Sequence, residues 1–160
     1  MDALEVRIGP LLRARGLKLA VAESCTGGLV ASRITDVSGS SDYLMGGVVA
    51  YAYDAKVGIL GVSWDTLQAH GAVSAETVLE MARGTRRIFP ADLALAISGV
   101  AGPGGGSPDK PVGTTYIALV APDGEWTQRH QFPGDRLENK SASADAALSM
   151  LWEYLNGRTA

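Results

Sequence analysis

Leu19-Ala20-Val21-Ala22-Glu23-Ser24-Cys25-Thr26-Gly27-Gly28 decides the fold. A short apolar run of strand type breaks into small polar residues and two glycines. Leu29, Val30, Ile34 and Val37 then recur at helical spacing, which predicts a helix over 26–37. A strand running into a helix through such a turn is the unit from which parallel sheets are built. It also sets the Ser24 hydroxyl beside backbone N–H groups that a helix start leaves unpaired, a geometry that suits a nucleophile, an anion site or both.

The pattern continues on both sides. Leu4, Ile8, Leu11 and Leu12 mark a helix over 3–15, stopped by Gly16, and residues 17–22 read as a buried strand. Gly39-Ser40-Ser41 is expected to be a loop and 47–51 a second strand. A short helix over 53–60 should end at Gly61. Ser63 and Ser74 are expected to cap two more, the second carrying Val78, Ala82, Thr85 and Phe89 and stopped by Pro90. Residues 92–98 form a third central strand. Strands over 113–120 and 125–132 flank the turn Pro122-Asp123-Gly124. Asp135 is expected to cap a last helix that turns Leu137, Ala144, Leu148, Leu151 and Leu155 to the core.

Alternation of helix and strand followed by a hairpin predicts an α/β fold: a three-layer α/β/α sandwich on a mixed, mostly parallel sheet. With 160 residues, no repeat and no linker, the chain reads as a single domain over 1–160. A net charge of −3 argues against a broad nucleic-acid surface, and Arg83, Arg86 and Arg87 read as a solvated helix face. Cys25 is the only cysteine and His70 and His130 the only histidines, so a cysteine-built metal site and an internal disulfide are excluded. No apolar run reaches membrane-spanning length and no signal peptide is evident, which makes a cytoplasmic location the expectation.

In open α/β sheets ligands gather at the carboxyl ends of strands. Three loops begin there, at Glu23, Tyr51 and Ser98, and should converge. Ser24 becomes a nucleophile if a base takes its proton, and is otherwise a helix cap. Neither histidine falls in the converging loops, so a lysine with a lowered pKa is the better base. Of the four lysines, Lys56 is the best placed, although a solvated helix lysine fits it as well. Tyr51 can relay a proton, hold the lysine or simply end a strand. Cys25 reads as a small core residue or a rival nucleophile, and Glu23 as structural or substrate-binding. The stretch 102–107 lacks the ending of a P-loop; it either offers amides to a phosphate or carbonyl oxygen or is a flexible turn. Arg136 is unfavourably placed for a helix dipole, which hints at use on an anion.

Taken together, AESCTGG at 22–28, Tyr-x-x-x-x-Lys at 51–56, HGAVS at 70–74, SGVAGPGGG at 98–106, KPVGT at 110–114 and PGDR at 133–136 resemble the CinA C-terminal domain family. Its enzymatic members are nicotinamide mononucleotide deamidases. The resemblance, from about Leu11 to Leu155, implies an α/β sandwich, often a homodimer. It implies hydrolysis of the mononucleotide carboxamide to the acid and ammonia, without metal or organic cofactor. The family's nucleophile falls on Ser24, and its tyrosine and lysine on Tyr51 and Lys56. Glu23, Cys25, Thr26, Gly27, Gly102, Gly104, Gly105 and Arg136 are the expected substrate contacts, with the oxyanion on amides after Ser24 and the phosphate on the glycine loop and Arg136. The chain departs from the family in Ala52-Tyr53-Asp54-Ala55, where members commonly carry Ser-Asn-Glu, and in Lys140, near a place where members often carry arginine. A non-catalytic nucleotide- or partner-binding module is the alternative, and an amidase for a related amide a third reading.

Overall fold

A computed structural model describes residues 2–158; the first residue and the last two of the span expected to form one domain lie outside it. The elements run α1 (Leu4–Arg15), β1 (Leu19–Glu23), α2 (Leu29–Thr35), a 3-10 turn (Ser40–Asp42), β2 (Leu44–Val49), α3 (Tyr53–Gly58), α4 (Trp64–His70), α5 (Ala75–Ile88), β3 (Leu93–Gly99), β4 (Thr114–Ala121), β5 (Gly124–Gln131) and α6 (Arg136–Leu155).

The sheet order is β2-β1-β3-β4-β5. β1 is parallel to both β2 and β3, whereas β4 is antiparallel to both its neighbours. Four strands therefore point one way and β4 the other. The central strands β1 and β3 are buried along nearly their whole length because helices cover both faces. Edge strands β2 and β5 alternate between inward and outward residues.

The two faces differ in side-chain size. Leu93, Leu95 and Ile97 of β3 pack with Leu19 and Val21 against α1, α2 and α6, through Ile8, Leu12, Val30, Ile34, Leu148 and Leu151. The intervening Ala94 and Ala96, with Ala22 and Ala118, face Val78, Met81 and Ala82 of α5. Alanines let α5 lie low on the sheet, and its Gly84 passes so close to Leu60 that an added Cβ would stand 1.8 Å from the Leu60 carbonyl oxygen. Truncating a leucine of the opposite face costs about 2–5 kcal/mol.

Capping follows the sequence. Ser63 and Ser74 accept from Asp65 N and Thr77 N, and Asp135 forms a reciprocal capping box with Glu138. Four expectations need correction. α2 begins at Leu29, not residue 26, because Gly27 (φ 63°) and Gly28 (φ 103°) turn the chain out of helical geometry first. β2 spans 44–49, so Tyr51 lies beyond the strand. α3 stops at Gly58 instead of running to residue 60. Leu137 is 73% exposed on the first turn of α6 and does not face the core.

Candidate active site

β1, β2 and β3 end side by side, and the ladder continues one step past the regular strands. Ser24 N donates to Ile97 O at 3.0 Å and Ala50 N donates to Glu23 O at 2.9 Å. This fixes Ser24 between the loops that leave β2 and β3. The chain after β2 turns through Ala50, Tyr51 and Ala52 into α3, whose Lys56 points back under the turn.

Lys56 is 1% exposed. Its Nζ lies 2.7 Å from Ala50 O, 3.3 Å from Tyr51 O and 3.0 Å from Ser24 Oγ. An ammonium would donate to all three. A neutral amine uses its two protons on the carbonyls and aims its single lone pair at the serine hydroxyl. Burial drives the lysine pKa down, and only an ionised Cys25 would oppose this, in part. Among the described residues no carboxylate pairs with Lys56 to hold the proton on it.

These groups line an open cleft of about 300 Å³, at the small end of the roughly 300–1,000 Å³ typical of small-molecule sites. Ser24, Cys25, Tyr51 and Lys56 line it together with Ser98, Gly99, Gly102, Gly104, Gly105 and Arg136, and Ala72 and Val73 complete the lining. The convergence of three strand-end loops expected from the sequence is therefore present. Arg136 donates from Nη1 to Gly102 O at 2.7 Å and from Nη2 to Tyr51 Oη at 2.9 Å. It pairs with no carboxylate among the described residues.

Several expected contacts lie elsewhere. Glu23 is buried, and its carboxylate accepts from Val30 N at 2.9 Å and Ala31 N at 3.0 Å, closing the start of α2. It is a cap, and α2 has no free N-terminal amides for an oxyanion. Thr26 and Gly27 do not line the cleft. Gly27 N donates to Ser24 O within the turn. The Tyr51 phenol is 59% exposed and engages Arg136; its contact with Lys56 is through its backbone carbonyl. Cys25 reaches the cleft, but burial pushes its thiol up to about 11, so it is not a thiolate at neutral pH. His70 pairs with Glu76 at 3.7 Å and His130 stacks on Phe132, both away from Ser24.

The sequence reading gave no role to Ser98, Tyr53 or Asn139, although Ser98 marks the start of one of its converging loops. Ser98 is buried at the end of β3 on the cleft wall, and Tyr53, visible only as a departure from the family string, stands beside Lys56. Asn139 is buried at the base of the glycine loop. A polar residue amid the apolar register of α6 was its only signal.

Comparison with known proteins gives a consistent result. Residues 1–155 match the family model described as CinA C-terminal domain. A putative competence-damage inducible protein of Halothermothrix orenii is 47% identical over 96% of this chain and 37% of its own length. A CinA-like protein of Thermotoga maritima is 48% identical over 98% of this chain and 38% of its own. The chain thus spans under two fifths of these curated relatives. Among solved structures, a CinA superfamily protein from Klebsiella pneumoniae superposes with a TM-score of 0.93 at 38% identity, covering 96% of both chains. A competence/damage inducible protein from Agrobacterium tumefaciens does so with 0.89 at 42%, covering 96% of this chain and 93% of its own.

Proposed function

The chain belongs to the CinA C-terminal domain family, and on that premise we propose that it is an amidohydrolase converting nicotinamide mononucleotide to nicotinate mononucleotide and ammonia. The observation that carries this reading is the buried Lys56 amine 3.0 Å from the Ser24 hydroxyl, with two carbonyls on its other side and, among the described residues, no carboxylate paired with it. At an unperturbed pKa of about 10.4, about one lysine in 2,500 is neutral at pH 7. Each unit of depression raises that fraction about tenfold, which is what burial supplies here.

The chemistry follows from the geometry. Lys56 Nζ takes the Ser24 proton as Oγ bonds to the carboxamide carbon. The C–N bond breaks, and the lysine proton leaves with the amine as ammonia. Water then attacks the resulting ester and gives a proton to Lys56. The bond to Ser24 breaks, the proton returns to Oγ, and the acid is released. With the α2 amides held by Glu23 and Gly27 N on Ser24 O, the Cys25 amide is assigned to the oxyanion. Arg136, without a carboxylate partner, is assigned to the substrate phosphate with the glycine loop beside it.

The test is ammonia release by the wild-type protein from nicotinamide mononucleotide, alongside the riboside that lacks the phosphate. Release from the mononucleotide, reduced for the riboside, is expected. Calorimetric binding of the mononucleotide without release would instead favour a nucleotide-binding module. Turnover confined to a different amide would redirect the substrate assignment.

A further inference from the structure

One helix grips two consecutive carbonyls of the glycine loop. Arg136 and Asn139, three residues apart and so on one face of α6, donate to Gly102 O at 2.7 Å and to Ala101 O at 3.0 Å. Arg136 is an exposed cation whose other contact is the Tyr51 phenol. Asn139 is 2% exposed and its amide is fully engaged. Nδ2 also donates to Gly134 O at 2.9 Å, and Oδ1 accepts from Gly134 N at 3.0 Å. Its backbone carbonyl accepts from Ser143 Oγ at 2.7 Å, and that hydroxyl lies 2.9 Å from Thr115 Oγ1. Gly99 packs so close to Thr115 that an added Cβ would stand 2.6 Å from Oγ1.

Helix capping does not require this arrangement, because Asp135 and Glu138 already close the start of α6. Burying an amide costs free energy unless every group is paired, and here every group serves to join two loops to the helix. Elsewhere the segment is tied by Val100 N to Thr114 O, Gly113 N to Val100 O, Arg129 Nη2 to Asp109 O and Lys110 Nζ to His70 O, none of them on α6. Among the described residues only Arg136 and Asn139 hydrogen-bond it to α6.

We propose that Asn139 is a positioning residue for the substrate: it pins Ala101, so that the wall formed by Gly102, Gly104 and Gly105 stays in place when Arg136 turns from the Gly102 carbonyl to an anionic group of the substrate. This rests on the reading of the cleft as an amidase site for an anionic pyridine nucleotide. The hydrogen bonds that hold Ser24 to β3, and Lys56 to Ser24 and the turn before α3, do not use the Asn139 side chain. Loss of the Asn139 amide should therefore weaken substrate capture and leave the serine as reactive as before.

Asn139→Ala and the isosteric Asn139→Asp test this, the second keeping the acceptor for Gly134 N and losing both donors. Three readouts are needed: KM and kcat for ammonia release, the rate of Ser24 labelling by a small fluorophosphonate, and hydrogen exchange over 100–106. In folded variants KM should rise about tenfold or more, as expected for loss of a buried hydrogen bond at a binding wall. kcat and labelling should stay within about twofold, and exchange should quicken in the loop and not in the sheet. An unchanged KM with unchanged loop exchange, a fall in kcat and labelling at constant KM, or faster exchange throughout overturns the proposal. If neither variant folds, Asn139 is a folding requirement and the positioning role is wrong. If the wild type releases no ammonia from any pyridine-nucleotide amide, the reading of the reaction fails. Loop exchange still decides for Asn139, local loosening supporting it and no change overturning it.

Discussion

Lys56 Nζ stands 3.0 Å from Ser24 Oγ, and its other two contacts are main-chain carbonyls, not acids. A buried lysine so placed is tuned toward the neutral form, and replacing it with the apolar, similarly long methionine removes the proposed base with little change in packing. Lys56→Met should lower kcat for ammonia release by about 10²–10⁴-fold, the usual worth of a positioned general base. Its circular dichroism should match the wild type, which separates a chemical loss from a folding loss.

The same lysine gives stability a pH dependence of definite sign. Its folded pKa is below the ordinary 10.5. Between those two values the unfolded chain binds a proton that the native protein does not, so stability rises with pH across that window. Below it, the full cost of burying the charge is present. The rise has a limiting slope of about 1.4 kcal/mol per pH unit. Urea denaturation across alkaline pH should show it as a difference between wild type and Lys56→Met. Subtraction removes the opposing contribution of the buried Cys25 and the partly buried Tyr154, whose pKa values are raised. A flat difference would mean that burial does not perturb Lys56.

Tyr51 separates two roles. Its phenol holds Arg136 at 2.9 Å, and only its backbone carbonyl meets Lys56. Tyr51→Phe keeps the ring and the carbonyl. It should change KM by a few-fold through a freer Arg136 and leave kcat within about threefold, whereas loss of a proton relay would cost kcat about a hundredfold or more. Steady-state kinetics with the mononucleotide decide between them.

The fold was largely legible because its signals are local. β3 alternates large and small apolar residues, Ser63, Ser74 and Asp135 cap where helices begin, and Pro122-Asp123-Gly124 turns the hairpin. Ser24, Lys56 and the glycine loop were legible because each follows a strand end. What misled was the competition for backbone amides. Nothing local tells that the Glu23 carboxylate folds forward onto Val30 and Ala31, seven and eight residues on, and so withdraws α2 from the site. Leu137 fits the helical period of α6, yet stands exposed on its first turn. Asn139 was invisible because its partners, Ala101 and Gly134, come from loops that meet only in the folded chain.

Glu23 supplies a stability test of that correction. Glu23→Ala orphans two amide donors at a buried helix start and should cost at least about 2 kcal/mol. Glu23→Gln, with one acceptor oxygen left, should cost about half as much. The midpoint of urea unfolding, with m unchanged, measures both. A neutral Glu23→Ala would return the carboxylate to a role in the cleft.

Gly84→Ala sets helix propensity against packing. Alanine in a helix gains about 1 kcal/mol over glycine, but the new Cβ would stand 1.8 Å from Leu60 O and force α5 off its alanine bed. Net destabilisation of at least about 2 kcal/mol is expected in thermal or urea unfolding, because the obstacle is backbone and does not yield as a side chain would.

Ammonia release from nicotinamide mononucleotide by wild type and Ser24→Ala, measured at equal concentrations of folded protein, tests the central claim most directly. The wild type should turn over, and Ser24→Ala should fall to background while still binding the mononucleotide. Turnover by Ser24→Ala at the wild-type rate would contradict a serine nucleophile activated by Lys56.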